Sequence, residues 1–312
     1  MLLGRGVKGK MTIPLNMNRR GFFKMATIAS VASVGALSLT PSQAAAAIDV
    51  SHKIKISGDL RTYTQRMALA TIFVKEDVEK AHFLEVLTKE YDEFESYIAA
   101  LRAGDAAYQM EPEQNKLVLE AINTVEVGWK VLGPAIKHII DEGAASEADF
   151  KKIEKVNVQV MSLADSLIHR VLLEYKADLP QVLAYQIDVA GAQRTISQKM
   201  IKEGILVAMG FDVEAHHTML MGSMSLFEFG LDKLNGKMLH NEVMLPTPSD
   251  GMKTQLGRAD EIWAEIKPCL EKLDNGHKTS TEEAVELSQK ADQMFDVFGA
   301  ISDELLERAA MI

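Results

Sequence analysis

One cysteine, Cys269, stands in 312 residues. A single thiol makes no intrachain disulfide and no Cys-rich metal cluster. Its place just after Pro268 suits a small buried apolar residue rather than a nucleophile. Aromatic residues make up only 6% of the chain and prolines number 8, with long stretches free of both Pro and Gly. That scarcity argues against a β-sandwich or barrel and favours helices. The motifs of common catalysts are missing too: Cys-x-x-Cys-His, Gly-x-Ser-x-Gly, His-Glu-x-x-His and a repeated Glu-x-x-His pair. The expectation is therefore a protein that is not an enzyme and carries no cofactor.

Acidic residues are absent before Asp49, whereas six basic residues fall there (Arg5, Lys8, Lys10, Arg19, Arg20 and Lys24). "NRRGFFKM" is followed by a mildly apolar run from Met25 to Leu39 and then by "PSQAAAA". Basic region, apolar region and small-residue cleavage choices near Ala44 to Ala47 form the layout of an export signal. The paired arginines point to the twin-arginine route, with residues 1–47 as the signal. The apolar run is fifteen residues, short of the ~20 that a spanning helix needs, so cleavage is expected over anchoring. Without this segment 28 Lys plus Arg face 44 Asp plus Glu, a formal net charge of −16. Such a chain is repelled by nucleic acid and by anionic lipid. No later segment is apolar enough to span a bilayer, and a periplasmic protein is expected.

What the chain does contain, it contains twice. "ISGDLRTYTQRMA" (Ile56 to Ala68) reappears as "VAGAQRTISQKMI" (Val189 to Ile201) at an offset of 133, which aligns Gly58 with Gly191, Arg61 with Arg194 and Gln65 with Gln198. The same offset puts Phe94 on Phe227, and an offset of 134 puts Trp129 on Trp263 and Pro134 on Pro268. "ADSL" at Ala164 matches "ADQM" at Ala291. A period this long exceeds a solenoid unit and equals a small domain. Residues 48–179 and 180–312 are therefore expected to be two copies of one helical bundle.

Each copy reads as four helices. Ile56, Leu60, Tyr63 and Met67 share one helical face. The next helix stops at Gly104, a third begins near Pro112 and ends before Gly143, and Gly133-Pro134 should bend or break it. Ser146 and Asp149 have capping-box spacing for a fourth, and Pro180 interrupts the run into the second copy. No strand pattern is convincing. The predicted fold is all-α: two tandem antiparallel four-helix bundles packed as a pseudo-dimer.

At 100° per residue, Arg61 falls beside the apolar stripe, on a strip holding Ser57, Gly58, Thr64, Gln65 and Ala68. Arg194 has Ala190, Gly191, Ser197, Gln198 and Ile201. The plain reading is a salt-bridged surface arginine. The alternative is a binding strip, because a Gly at i−3 lets another backbone approach. "ISGDLRTYTQRMA" and "DVAGAQRTISQKMIKEG" resemble the first-helix motif of the type IV pili methyl-accepting chemotaxis (PilJ-type) N-terminal domain. The motif is also similar to the P-box of the NarX-type nitrate and nitrite sensors. The resemblance implies an all-helical sensor in which Arg61 and Arg194 hold one small anion such as nitrate or nitrite, with Gly58 and Gly191 allowing close approach. On this view the arginines face each other. An oxyanion then removes the cost of two buried guanidinium groups, with Thr64, Gln65, Ser197 and Gln198 completing its coordination. Asp59 and Ser57 in the first copy depart from the second copy, so the half-sites are not identical. A membrane sensor or transporter would receive the signal, and homo-oligomers stay open.

Two rivals also stay open. His217, Met221 and Met224 lie at i, i+4 and i+7, a soft-ligand spacing that suits copper, although Met at helical spacing ordinarily fills a core. The other is a helical interaction protein without a small ligand.

Overall fold

A computed structural model of the protein describes residues 41–274 and 277–312. Residues 1–40, which carry most of the expected export signal, lie outside it. The stretch Ala44 to Ala47 falls in the first turns of a helix.

Among the described residues, eight α-helices follow in order: α1 (Pro41–Lys75), α2 (Lys80–Ala103), α3 (Lys116–Glu142), α4 (Glu147–Glu174), α5 (Gln181–Ala208), α6 (Val213–Leu234), α7 (Asp250–Asp274) and α8 (Thr281–Ala310). The β-structure among the described residues is a two-stranded hairpin, β1 (Leu239–His240) with β2 (Val243–Met244), and one isolated bridge. The all-α expectation is met. None of these helices is long and apolar enough to cross a membrane.

Local chemistry explains the ends. Ser146 accepts from the Asp149 N–H while the Asp149 carboxylate accepts from the Ser146 N–H, and Ser280 with Glu283 repeats this box on α8. Each reciprocal pair satisfies two N–H groups that an open helix start leaves without partners. Asn115, not Pro112, caps α3 by accepting from Leu117 and Val118. Gly104 ends α2 at φ +74°, and a Cβ there would stand 2.6 Å from the Pro112 nitrogen, so only glycine fits. Of the bend or break expected at Gly133-Pro134, no break occurs: α3 continues through Pro134, and α7 likewise through Pro268. Tertiary packing outweighs the ~3 kcal/mol that an interior proline costs a helix. Beside Pro134, Leu132, Gly133, Ala135 and Ile136 are all buried.

The duplication is visible in side-chain detail. Trp129 stacks on Phe94 and donates its Nε1 to Glu95, and Trp263 packs on Phe227 and donates its Nε1 to Glu228, both at 3.3 Å. α1–α4 pack as one ring and α5–α8 as the other. α1 and α5 are the hubs. Each packs against its own bundle and against the other, so the eight helices form one compact unit with a single continuous apolar core.

Candidate functional site

The two copies meet where the repeated motif lies. Gly58 and Gly191 face each other, and a Cβ on either would stand 3.8–3.9 Å from the other's Cα. One turn on, Thr62 Oγ1 and Thr195 Oγ1 share a hydrogen bond of 2.8 Å. Residues at the same offset touch at both points. α1 and α5 therefore run parallel and in register, related by an approximate two-fold axis along the seam, as in an isologous dimer interface.

That geometry decides where the arginines go. On α1 the seam direction is set by Gly58 and Thr62. Arg61 then projects to one side and Asp59 to the other, each roughly 80° away at 100° per residue. The two-fold sends Arg194 to the side of Asp59. The contacts agree. Arg61 Nη1 donates to Asp165 Oδ1 on α4 at 2.5 Å, and its Nη2 lies 3.4 Å from both the backbone oxygen and Oδ1 of Asp188 on α5. Arg194 donates to Asp59 and lays its guanidinium on the Phe295 ring of α8, 3.8 Å from the centroid. Both arginines are 5% exposed. The expected arrangement, with Arg61 and Arg194 facing each other, is not the one found. They stand on opposite sides of the seam, and each reaches a carboxylate of the other copy's first helix.

The other residues expected at the site turn inward to their own bundles. Thr64 donates to the Arg61 carbonyl and Ser197 to the Arg194 carbonyl. Gln65 donates to Asn157 on α4, and Gln198 to the Ala291 carbonyl on α8. They brace α1 and α5 rather than converge on one point.

The two sides of the seam differ in access. On the Arg194 side, Arg66 bridges Glu90 of α2 and Asp292 of α8 at 2.7 and 3.0 Å and lies over the same Phe295 ring. This closes the space above Arg194. On the Arg61 side the matching positions are Lys199 for Arg66 and Ile168 for Phe295. Lys199 instead turns to Ser223 and Glu203. A cleft of about 330 Å³ is left open between α4 and α6, with Arg61 on its floor. The Nε atoms of Arg61 and Arg194 are both buried and have no hydrogen-bond partner among the described residues, so the cleft, not the unpaired donor, distinguishes the two sides.

Sequence periodicity missed a buried charge cluster one turn beyond the motif. Lys202, fully buried, donates to Asn157 at 2.9 Å and lies 3.4 Å from Glu154 and 3.3 Å from Glu203. His216 of α6 closes on the other Glu203 oxygen. Burial alone would raise the Glu203 carboxyl, but Lys202, the His216 hydrogen bond and Lys199 outweigh it and hold it at about 2. A charged "KE" pair inside an otherwise apolar stretch was the available signal. Asp165, Asp188 and Phe295 carried no comparable mark.

The copper alternative does not assemble. His217 is half exposed with its Nδ1 2.5 Å from Asp274 Oδ1, Met221 is exposed, and Met224 is 6% exposed within the core. The three share a helix face but split between solvent and interior. No group of three or more His, Cys, Asp or Glu placed to hold a metal occurs among the described residues. Cys269 corrects another expectation: it is exposed, because α7 turns that face away from the core, and its Sγ rests on the Glu265 carbonyl.

Residues 44–150 match the family model described as the type IV pili methyl-accepting chemotaxis transducer N-terminal domain, PilJ. That span runs from the start of α1 into α4 and contains Arg61, so the first copy of the motif lies in a PilJ-type domain. No curated protein matches the chain.

Proposed function

We propose that this protein is a periplasmic, non-enzymatic sensor of a small anion, with Arg61 as the residue that holds the ligand. The observation that carries this reading is the asymmetry of the seam. Arg194 is neutralised by Asp59, stacked on Phe295 and covered by Arg66. Arg61 is as deeply buried yet lines an open cleft between α4 and α6. A guanidinium that borders an open cleft can receive planar oxyanions, which accept two parallel hydrogen bonds. Nitrate, nitrite and carboxylates all have that shape.

The PilJ-type match supports a sensing role, since the family description is of a transducer's N-terminal domain. A ligand on Arg61 would act on α4 through Asp165 and on α5 through Asp188, two helices of different copies. Binding would then bias how the bundles pack across the seam, the kind of helix shift by which sensors signal. Export by the twin-arginine route and a membrane-bound receiver complete the proposal.

The test is thermal unfolding across a concentration series of nitrate, nitrite and acetate. A ligand that binds only the native state raises the midpoint progressively with concentration. Arg61→Gln should remove the shift, while Arg194→Gln should leave it in place. Equal loss in both variants, or no shift with any anion, overturns the reading.

A further inference from the structure

Resting on the Arg61 reading, we infer that the ligand is an organic monocarboxylate with a short apolar body, and that Asp165 is a built-in competitor for its head group. The cleft is the first ground. Its apolar wall is Met161 of α4, Ile196 of α5, and Met219 and Leu226 of α6, beside the polar Ser162, Thr195, Lys199 and Ser223. Leu226 is 56% exposed, and Phe229 one turn further along α6 is 48% exposed, so the apolar surface runs out of the cleft along that helix. A volume of about 330 Å³ sits at the lower end of small-molecule pockets, which are mostly apolar with a few placed polar groups. A bare inorganic oxyanion would leave those walls unused.

The second ground is Asp165. Its carboxylate already sits on Arg61 Nη1 at 2.5 Å, yet its side chain is 40% exposed, whereas that of Asp188 is 8% exposed. One counterion of Arg61 is thus fixed and the other borders water. Among the described residues, the ion-pair partner of Asp165 beyond Arg61 is His169, at 3.6 Å on its own helix. An incoming carboxylate can take the place of Asp165, which turns outward into solvent. The exchange swaps one carboxylate for another, so the charge on Arg61 stays balanced. Net gain then comes from the body of the ligand in the cleft. Nitrate and nitrite have no body and gain little from the same exchange.

Burial of a methylene is worth about fourfold in affinity. Titration calorimetry of the whole chain with linear monocarboxylates from acetate to octanoate should therefore show affinity rising about fourfold per added carbon until the cleft is full. Nitrate and nitrite should bind more weakly than butyrate. Asp165→Asn removes the competitor and should tighten every carboxylate several-fold, and Leu226→Ser should flatten the rise with chain length without changing acetate. A merely structural Asp165 would lower the unfolding midpoint with no gain in affinity. Affinity flat along the series, or nitrate tighter than butyrate, overturns the inference while leaving an anion site at Arg61. Heat from no anion in either the native chain or Asp165→Asn overturns both.

Discussion

Thr62 and Thr195, 133 positions apart, hydrogen-bond to each other at 2.8 Å across the centre of the molecule. Each also lies within reach of the carbonyl four residues before it, at 3.1 and 3.2 Å. One hydroxyl hydrogen serves the partner and the other serves the backbone. Replacing either residue with Val should cost about 1 kcal/mol, the net worth of a buried hydrogen bond. The double variant should cost less than the sum, because the shared bond is lost only once. Urea denaturation of the four proteins in the cycle measures this coupling.

Arg194→Ala should destabilise strongly and Asp59→Asn less. The Asp59 carboxylate is 2% exposed, so removing Arg194 leaves a buried charge with Lys55 alone, at 3.0 Å. Loss of one partner from a buried pair costs about 3–5 kcal/mol, and the remaining lysine puts this case near 3. The double change Asp59→Asn with Arg194→Ala should recover part of the loss, since no uncompensated charge remains. Recovery of nothing would show that the Phe295 stack, not the ion pair, holds Arg194.

Two buried carboxylates should give stability opposite dependences on pH. Glu203 is held at about 2, below its ordinary 4.5. It contributes stability above 4.5 that is lost as pH falls from there toward 2. Burial pushes Glu90 up to about 7, although Arg66 pulls it down. Its neutral form is favoured on folding, so stability from this group is present below 4.5 and lost as pH rises through 7. Glu90→Gln should flatten the unfolding midpoint between pH 5 and 8, and Glu203→Gln should remove much of the loss below pH 4.5. A Glu90→Gln profile unchanged in the neutral range would contradict this assignment.

Single alanines at the seam glycines should be tolerated. A Cβ on Gly191 would sit 3.5 Å from Arg61 Nη2 and 3.8 Å from Gly58 Cα, ordinary van der Waals distances. Gly→Ala in a helix lowers the backbone entropy lost on folding by about 0.5–1 kcal/mol, so Gly58→Ala or Gly191→Ala should be neutral or slightly stabilising by chemical denaturation. A Leu at either position has no room and should push α1 and α5 apart. It should also weaken the Thr62–Thr195 coupling measured above.

Cys269 should react fully with an aromatic disulfide reagent under native conditions. Its exposure on α7 leaves no barrier of packing to cross. A thiol that reacted only after denaturation would place α7 in a different rotation.

How much of this was legible beforehand differs by element. The helices were, because their caps are local: Ser146 with Asp149 and the glycine at 104 act over a few residues. The all-α class follows from composition and period, and the pairing of the two copies follows from duplication, since identical surfaces suit each other about a two-fold axis. Continuity through Pro134 and the exposure of Cys269 were not legible, because each depends on which face of a helix another helix covers.

The sequence by itself determined that two like bundles exist and that each carries an arginine beside a glycine on its first helix. Only the tertiary structure decided what those arginines do. The parallel, in-register contact of α1 with α5 sends Arg61 and Arg194 to opposite sides of the seam, because each lies well off the line joining the two helix axes. Residues distant in sequence then set their fates. Asp59, Phe295 and Arg66 enclose Arg194, while the absence of an aromatic at Ile168 and the turning away of Lys199 leave Arg61 at the floor of a cleft. Spacing along one helix sets the direction in which a side chain leaves it, but what it meets there is set by the packing of the other helices.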